Sequence, residues 1–239
     1  MCGRYANTKV AVAVAAFYGA YNARGEELPP SWNVAPTDPV YGVVDAHGSD
    51  GAGRELGVYR WGLVPWFMKD AKAAARMINA RAETLLTKPA YRQAAAQRRL
   101  LLPASGWYER RRDAGGKQPS YMTLGDSASL TVAGLWERWR DVDGAELFTC
   151  TIVTTAALGQ LAGVHDRMPL VLPEDRWDDW LDPQRSDPSE LLQPDEELVA
   201  SLELRPIGSA SSGRDCHCCM SSITASVTRE TRSRDTSVP

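Results

Sequence analysis

Cysteine, phenylalanine, histidine and long apolar runs are all scarce in this chain of 239 residues. Five cysteines are few for this length, and an odd number cannot all pair in disulfides. No secretory signal pattern opens the chain. We therefore expect a cytoplasmic protein with reduced thiols. No apolar stretch approaches the roughly 18 residues that a spanning helix needs, so we expect no membrane segment. The net charge of -3 excludes a global positive field, and a nucleic-acid partner would need a local basic patch.

Motifs for nucleotide cofactors and metals are also missing. The chain has no G-x-G-x-x-G, no P-loop and no strict alternation of strand and helix, which excludes a Rossmann fold. Cys216-His217-Cys218-Cys219 has C-x-x-C spacing, but no second pair follows and four adjacent residues cannot form a tetrahedron. We therefore expect neither a metal nor another cofactor.

The apolar pattern predicts many strands joined by tight turns, with single helices inserted between them. This indicates an α+β fold with a mostly antiparallel, barrel-like β-sheet core and peripheral helices. Asp143-Gly144 is a hairpin signal between strands at 130–139 and 147–154, and Thr8 is placed to cap a helix that runs to about Tyr21. Composition changes after Ile207, which predicts one domain over 1–207 and a disordered tail over 208–239.

Cys2 is the first residue that suggests chemistry. Removal of Met1 would give Cys2 a free α-amine beside its thiol, with ordinary pKa values of about 8 and about 8.5. Such a pair can attack an acyl carbon, as in N-terminal nucleophile hydrolases, or condense with an aldehyde to close a thiazolidine ring. Taken alone, the position favours the plainer interpretation that Cys2 is an ordinary small residue beside the start of the chain.

Three further stretches place polar residues among apolar or glycine-rich neighbours. They carry Asn79, Glu109 and His165, and each has a plain structural account: a helix cap, a solvated strand residue and a loop histidine. Eight tryptophans could stack on bases or fill a core, and their number does not decide which.

Together, the motifs resemble one family in kind and in order. They are Met1-Cys2-Gly3-Arg4-Tyr5, Trp32-Asn33-Val34-Ala35-Pro36, Trp61-Gly62-Leu63-Val64-Pro65, Asn79-Ala80-Arg81-Ala82-Glu83-Thr84, Gly106-Trp107-Tyr108-Glu109, Gly134-Leu135-Trp136-Glu137 and His165-Asp166-Arg167-Met168-Pro169. Residues 1–207 thereby resemble the SRAP (SOS response-associated peptidase) family of abasic-site processing proteins.

The resemblance implies a DNA-damage function and a set of site residues. Family members bind single-stranded DNA with an abasic site and link an N-terminal cysteine to the ring-opened sugar aldehyde as a thiazolidine. The implied catalytic residues are Cys2, Asn79, Glu109 and His165. The implied DNA contacts are Arg4, Arg81 and Arg167 to phosphates, Asn33, Pro36 and Trp66 against bases, and Thr154 beside the crosslink. An abasic site has no base to read, so we expect the protein to recognise the DNA backbone and the shape of the strand. We also expect the protein to be a monomer.

Two alternatives and two departures accompany this interpretation. An N-terminal-cysteine peptidase or amidase acting in trans, or a non-covalent single-strand-binding module, would use many of the same residues. Arg110 stands where the family usually has tryptophan. The sequence from Gly208 departs from the family's closing strand, which suggests a replaced or frameshifted C-terminus.

Overall fold

The computed structural model describes residues 2–22, 24–46, 53–113, 116–125 and 128–207. Within those ranges the chain forms strands and short α-helices. The elements are β1 (Tyr5–Asn7), α1 (Ala11–Tyr18), β2 (Ala20–Asn22), β3 (Ser31–Val34), β4 (Pro39–Asp45), β5 (Arg54–Trp61), β6 (Asn79–Arg81), α2 (Arg92–Gln97), β7 (Arg99–Ala104), β8 (Gly106–Asp113), β9 (Gly116–Thr123), β10 (Leu130–Arg140), β11 (Glu146–Ala156), β12 (Arg167–Pro169), α3 (Trp177–Leu181), α4 (Glu196–Ala200) and β13 (Glu203–Pro206).

A closed barrel forms from five of these strands. Strands β5, β4, β7, β10 and β11 pair antiparallel in that order, and β11 then pairs parallel with β5 through Thr149–Arg60 and Cys150–Trp61. Closure removes the exposed edges that an open sheet would leave. The predicted α+β fold with a mostly antiparallel, barrel-like core is confirmed.

The hairpin between β10 and β11 forms where the Asp-Gly pair predicts it. Gly144 has φ 85°, a left-handed conformation that costs glycine little, and Arg140 then faces Glu146 across the two strands. This long hairpin matters for function because β11 also carries β6 and β12, the two short strands that bring in distant site residues.

A second sheet packs against one face of the barrel strands. Its strand order is β13-β9-β8-β1-β3, so β1 lies between β8 and β3. One cluster of buried residues joins Cys2, Tyr5 and Trp107 from this side to Trp61 and Ile152 of the barrel. Helices α1, α2 and α3 contribute to the other large cluster, with alternate residues of the same strands.

The prediction that Thr8 caps the first helix is wrong. The N-cap position of α1 is Val10, without a side-chain cap, and the Thr8 hydroxyl instead lies 2.9 Å from the Ser105 hydroxyl. The Thr8 side chain therefore forms a tertiary hydrogen bond and does not cap the helix. The helix also ends before Tyr21, because Gly19 adopts φ 59° and its N–H closes the last turn.

No helix among the described residues is long and apolar enough to cross a membrane. The predicted domain, 1–207, ends in β13, which pairs antiparallel with β9 at the edge of the second sheet. The predicted tail over 208–239, with its Cys216–Cys219 cluster, lies outside the described residues.

Candidate functional site

Cys2 is built into the interior although it stands next to the start of the chain. Its side chain is 1% exposed and packs in the cluster that also holds Tyr5 and Trp107. The Sγ atom lies 3.9 Å from the carbonyl oxygen of Arg4, a distance that suits only a weak thiol donor. Chain termini are usually poorly ordered unless they are tied down, so this burial calls for a specific anchor.

Asn79 supplies that anchor. Its Nδ2 donates a 2.8 Å hydrogen bond to the carbonyl oxygen of Cys2. Asn79 lies opposite Ile152 in the parallel pairing of β6 with β11, so both side chains share the face on which Cys2 packs. The Oδ1 atom of Asn79 is buried and accepts no hydrogen bond from the described residues. The amide therefore fixes the backbone of Cys2 and keeps one acceptor available.

Glu109 brings a buried carboxyl group close to the same residue. It lies on β8, is 7% exposed, and follows Tyr108, whose N–H donates to the carbonyl of Arg4 at 3.0 Å. Burial, and then the nearby charge of Glu109, raises the pKa of the Cys2 thiol far above its ordinary value. Burial therefore disfavours the charged thiolate form of Cys2.

His165 is partly exposed and has a defined orientation. Its side chain is 30% exposed, and Nδ1 accepts a 2.9 Å hydrogen bond from the backbone N–H of Arg167. In that arrangement the neutral ring carries its proton on Nε2. Nδ1 also lies 2.7 Å from Oδ1 of Asp166, so this side of the ring faces both a backbone donor and a carboxylate.

Arg167, on β12, forms an ion pair with Glu83, which follows β6; both of these strands pair with β11. Its two terminal nitrogens donate to both carboxylate oxygens of Glu83, at 2.5 and 3.1 Å, and one of them also donates to the carbonyl of Thr154 at 2.5 Å. This pairing lowers the pKa of Glu83, mainly through the hydrogen bond. Thr154 is fully buried beneath the guanidinium. The Nε atom of Arg167 is buried without an acceptor among the described residues.

Arg4 and the loop after β3 lie at the surface. Arg4 donates to Oδ1 of Asn33 at 2.9 Å, and both residues are exposed. Pro36 precedes Thr37, whose φ of 78° is unusual for a β-branched residue and whose N–H donates to the Trp61 carbonyl at 2.8 Å. The loop that presents Asn33 and Pro36 is therefore held in a single shape by the barrel.

Two aromatic side chains stand out into solvent after β5. Trp66 is 62% exposed and Phe67 46% exposed, with ring centroids 5.7 Å apart in an edge-to-face arrangement. Arg81, at the end of β6, is exposed as well. Trp66 and Arg81 are among the predicted DNA contacts, and their exposure is compatible with that interpretation.

Two of the predicted catalytic residues act on Cys2 directly: Asn79 contacts its carbonyl oxygen, and the charge of Glu109, after burial, raises the pKa of its thiol. His165 lies just before β12, and both β12 and the β6 strand that carries Asn79 pair with β11. The catalytic function of His165 stays a prediction. The predicted phosphate contact of Arg167 stays a prediction, since its terminal nitrogens are engaged by Glu83.

Sequence reasoning gave no function to Glu83, Phe67 or Tyr108. Glu83 lies within a quoted motif, and a carboxylate among arginines was a signal for an ion pair. Phe67 directly follows Trp66, and paired aromatics after a proline were a signal for a surface feature. Tyr108 donates from its hydroxyl to the Trp32 carbonyl at 2.8 Å, a contact between distant segments that left no local signal.

The described residues contain no group of three or more His, Cys, Asp or Glu side chains that could hold a metal ion. Two clefts, of about 310 and 200 Å³, lie beside α1 and beside β3, and Cys2 lines neither of them.

Comparisons with known proteins agree on one family. The family model described as SOS response associated peptidase (SRAP) matches residues 1–210. The Bacillus subtilis "Abasic site processing protein YoqW" is 41% identical over 172 residues, which cover 70% of this chain and 75% of that protein. The chicken "Abasic site processing protein HMCES" is 30% identical over 178 residues, covering 63% of this chain and 53% of that protein.

Solved structures share the fold. A protein from Bacteroides thetaiotaomicron superposes with a TM-score of 0.76 at 28% identity, covering 87% of this chain and 93% of that one. A protein from Bordetella bronchiseptica gives a TM-score of 0.73 at 25% identity, covering 86% and 99%. The overall fold is therefore shared with these experimentally determined structures.

Proposed function

This chain belongs to the SOS response associated peptidase family, and we propose that it processes abasic sites in single-stranded DNA. After removal of Met1, Cys2 would form a thiazolidine crosslink with the ring-opened deoxyribose and shield the lesion during the DNA-damage response. The names of its relatives support abasic-site processing. We expect a monomer, which size-exclusion chromatography tests.

One observation carries the proposal: the hydrogen bond of 2.8 Å from Asn79 to the carbonyl of Cys2. A residue beside the chain terminus is here 1% exposed and flanked by the buried carboxyl of Glu109. Such an arrangement holds the α-nitrogen and the thiol of one residue in a defined place, which a covalent reaction at that residue requires. A module that only binds strands has no need of it.

The proposed reaction begins at the α-amine. While Met1 is attached, the nitrogen of Cys2 is an amide and cannot condense with an aldehyde. Once freed, the amine adds to the aldehyde carbon of the sugar, and loss of one water gives an imine. The S–H then adds across the C=N bond, so that sulfur bonds to carbon and the proton goes to nitrogen. The crosslink contains both reactants minus one water.

The raised pKa of the Cys2 thiol supports this order of events. A protonated thiol is a poor first nucleophile, but it can close a five-membered ring intramolecularly once the imine stands beside it. The imine also permits β-elimination of the 3′ phosphate, so weak lyase activity is a natural side reaction, limited by the speed of ring closure.

We assign the proton transfers to Glu109 and His165. Glu109, close to Cys2, would take and return protons as the carbinolamine forms and loses water. To open the sugar, His165 would donate its Nε2 proton to the ring oxygen as the bond between that oxygen and C1′ breaks, because Nδ1 is engaged by Arg167. The C1′ hydroxyl would release its proton to water as the aldehyde forms, and water would return a proton to Nε2. Asn79 would position Cys2 and offer its Oδ1 atom as an acceptor. The released Met1 implies either self-processing or a cellular aminopeptidase.

The DNA would be held through its backbone. Arg4 and Arg81 are exposed cations suited to phosphate contacts, and Arg167 would join them where a phosphate replaces Glu83. Asn33, Pro36 and Trp66 would lie against the bases beside the gap, with Thr154 buried below the crosslink. We expect little sequence preference because these contacts read no base edge.

The test uses chain that lacks Met1, mixed with single-stranded DNA carrying one abasic site. We expect a band that resists denaturant, with the mass of both partners minus one water. Cys2→Ala should abolish the band. Cys2→Ser keeps the amine, so borohydride should capture its imine while the unreduced sample gives far less stable product.

Three outcomes would contradict the proposal. A properly processed chain that forms no denaturant-resistant species has no crosslinking function. Equal binding of lesion-free and abasic DNA, unchanged by Cys2→Ala, would indicate a non-covalent binding module. Turnover of peptide or amide substrates that depends on Cys2, without any crosslink, would indicate a hydrolase acting in trans.

A further inference from the structure

A short segment after β5 presents cations and aromatic rings without neutralising partners. We call it the cationic ridge and define it by five exposed side chains: Trp66, Phe67, Lys69, Lys72 and Arg76. No ion pair joins its three cations to any other residue that the structure describes. In a chain of net charge -3, such a local concentration of positive charge stands out.

The ridge is anchored on its inner side. Val64 and Ala74 are buried with Trp139 in a small cluster of their own, and the Trp139 indole donates to the carbonyl of Met68 at 2.7 Å. A Cβ added to Gly62 would lie 2.4 Å from the carbonyl oxygen of Ala74, so the backbone passes close to itself here. The exposed side chains thus project from a fixed platform.

The acidic groups near the ridge are already engaged. The carboxylate of Asp70 accepts the backbone N–H of Lys72 at 2.8 Å, as a cap for the short turn that follows. On the neighbouring hairpin, Glu146 pairs with both Arg138 and Arg140. Neither carboxylate forms an ion pair with a ridge cation, and the positive charges face solvent.

The ridge leads directly to the reactive residue. Its last turn continues through Met77, whose carbonyl accepts the N–H of Leu63 at 3.1 Å, and Ile78, whose carbonyl accepts the N–H of Ile152 at 3.0 Å. The next residue is Asn79, which holds Cys2. A strand linked at Cys2 therefore has a short path to the ridge.

We propose that the cationic ridge extends the binding surface for the single strand beyond the residues that hold the lesion, with Trp66 shared between the two. Lys69, Lys72 and Arg76 contact the phosphates of nucleotides that flank the lesion, and Phe67 joins Trp66 as a surface for their bases. The zone gives affinity and footprint, and it leaves the covalent step to Cys2. This inference rests on the proposed function.

The chemistry of the ridge favours a single strand over other anionic partners. Exposed cations beside an aromatic pair match a polymer that offers a phosphate and a flat base at every step, and bases of any identity stack on aromatic side chains. An acidic peptide would use the cations and leave both rings in water. A lipid surface would be expected to select a broader apolar face.

The test compares Lys69→Ala/Lys72→Ala/Arg76→Ala with the parent, both in a Cys2→Ala background so that binding stays reversible. The readout is affinity for a single strand of about 20 nucleotides across a salt series. Loss of three phosphate contacts should reduce the slope of log affinity against log salt by about 2. Between about 50 and 200 mM salt, the factor by which affinity falls should therefore be roughly 16-fold smaller for the variant than for the parent.

The matched control, Arg24→Ala/Lys88→Ala/Arg92→Ala, removes the same formal charge from exposed positions outside the ridge. It should keep a slope near that of the parent. Equal slopes for the two triple variants would overturn the ridge proposal, as would an acidic peptide or anionic vesicles competing as well as the strand. Phe67→Ala should lower affinity without changing the slope, because stacking releases no counterions.

A second measurement separates this proposal from the crosslinking function. Both proteins carry Cys2 in this measurement, and the abasic strand is kept at limiting concentration. On a strand of about five nucleotides, the ridge variant should crosslink at the parental rate. On a strand of about 20 nucleotides, it should crosslink more slowly than the parent. If the parent crosslinks neither strand, the proposed function fails. If the parent crosslinks both and the ridge variant matches it on the longer strand, only the ridge proposal fails.

Discussion

Two arginines, the buried Arg99 on the helix side and the partly buried Arg167 on β12, show how differently this protein uses the same side chain. Arg99 is 3% exposed and donates only to backbone carbonyls, those of Ala95, Ala96, Trp180 and Asp182. Burial lowers its pKa. Arg167 instead faces a half-exposed carboxylate, Glu83, and keeps its Nε without an acceptor among the described residues.

The difference teaches what each region is built for. Every nitrogen of Arg99 has a partner in the chain, so Arg99 ties α2, β7 and α3 together and offers nothing to a ligand. Arg167 has a partner that can move and a donor left over, so an anion can compete for it. A guanidinium with every donor satisfied by the chain indicates a structural role, whereas one paired with an exposed carboxylate can exchange that partner for another anion.

The largest effect should come from Arg99→Ala. Removing the guanidinium leaves four buried carbonyls without their donors, and we expect the free energy of unfolding to fall by about 3 kcal/mol. The melting temperature should fall by roughly 6–12 °C, while crosslinking per folded molecule stays unchanged. Calorimetry and the gel assay measure both. The control Arg92→Ala, at an exposed position nearby, should stay within about 0.5 kcal/mol of the parent. A stable Arg99→Ala protein would break the comparison.

Asn79→Ala should act in the opposite way, with a large effect on rate and a small one on stability. We expect crosslinking to slow by about 100-fold, the scale seen when one preorganised donor is lost. The free energy of unfolding should fall by only about 1 kcal/mol.

Asn22 provides a matched control for Asn79. Its Nδ2 also donates to a carbonyl, that of Glu26 at 3.0 Å, and its Oδ1 is also buried without an acceptor contact among the described residues. Asn22→Ala should leave the crosslinking rate unchanged. Equal rate losses in both variants would mean that the asparagine next to Cys2 has only a packing function.

The smallest effect should come from Glu83→Gln, which keeps the shape but removes the charge that competes for Arg167. We expect DNA affinity to rise about three- to fivefold, corresponding to less than 1 kcal/mol for a half-exposed pair. Fluorescence anisotropy with a Cys2→Ala protein measures this. A loss of affinity would show that Glu83 positions Arg167 for DNA and does not compete with it.

The pH dependence of stability provides a second reading of Glu83. Its pKa is lower in the folded protein than the ordinary value of 4.5, so its ion pair stabilises the fold above that value. The contribution is lost as pH falls through the folded-state pKa. The difference in the free energy of unfolding between the parent and Glu83→Gln should therefore have its full size at neutral pH and disappear below about pH 4.

Much of the fold and part of the site can be predicted from local sequence. Local patterns of apolar residues and turn residues predict the Asp143-Gly144 turn, the short strands and the mostly antiparallel barrel. The family follows from ordered motifs. The cap assigned to Thr8 failed because its hydroxyl meets Ser105, almost a hundred residues along the chain, and no local rule contains that contact.

The site itself depends on pairings between distant strands. Parallel contacts of β11 with β5 and β6 bring Asn79 to Cys2, and the pairing of β12 with β11 brings Arg167 to Glu83. These contacts determine which carboxylate is buried, which is in an ion pair and which raises the pKa of the thiol. Residue type alone would have assigned Glu83 and Glu109 the same chemistry.

The sequence by itself determined which reactive groups exist: a cysteine that becomes N-terminal when Met1 is removed, an ordered set of polar motifs and a turn at Gly144. Only the tertiary structure decided what those groups can do. It buried Cys2, tied its carbonyl to Asn79 and left the cationic ridge exposed. The physical reason is that composition and spacing act over a few residues, whereas burial, charge interaction and hydrogen-bond partners depend on how the closed barrel brings remote strands together.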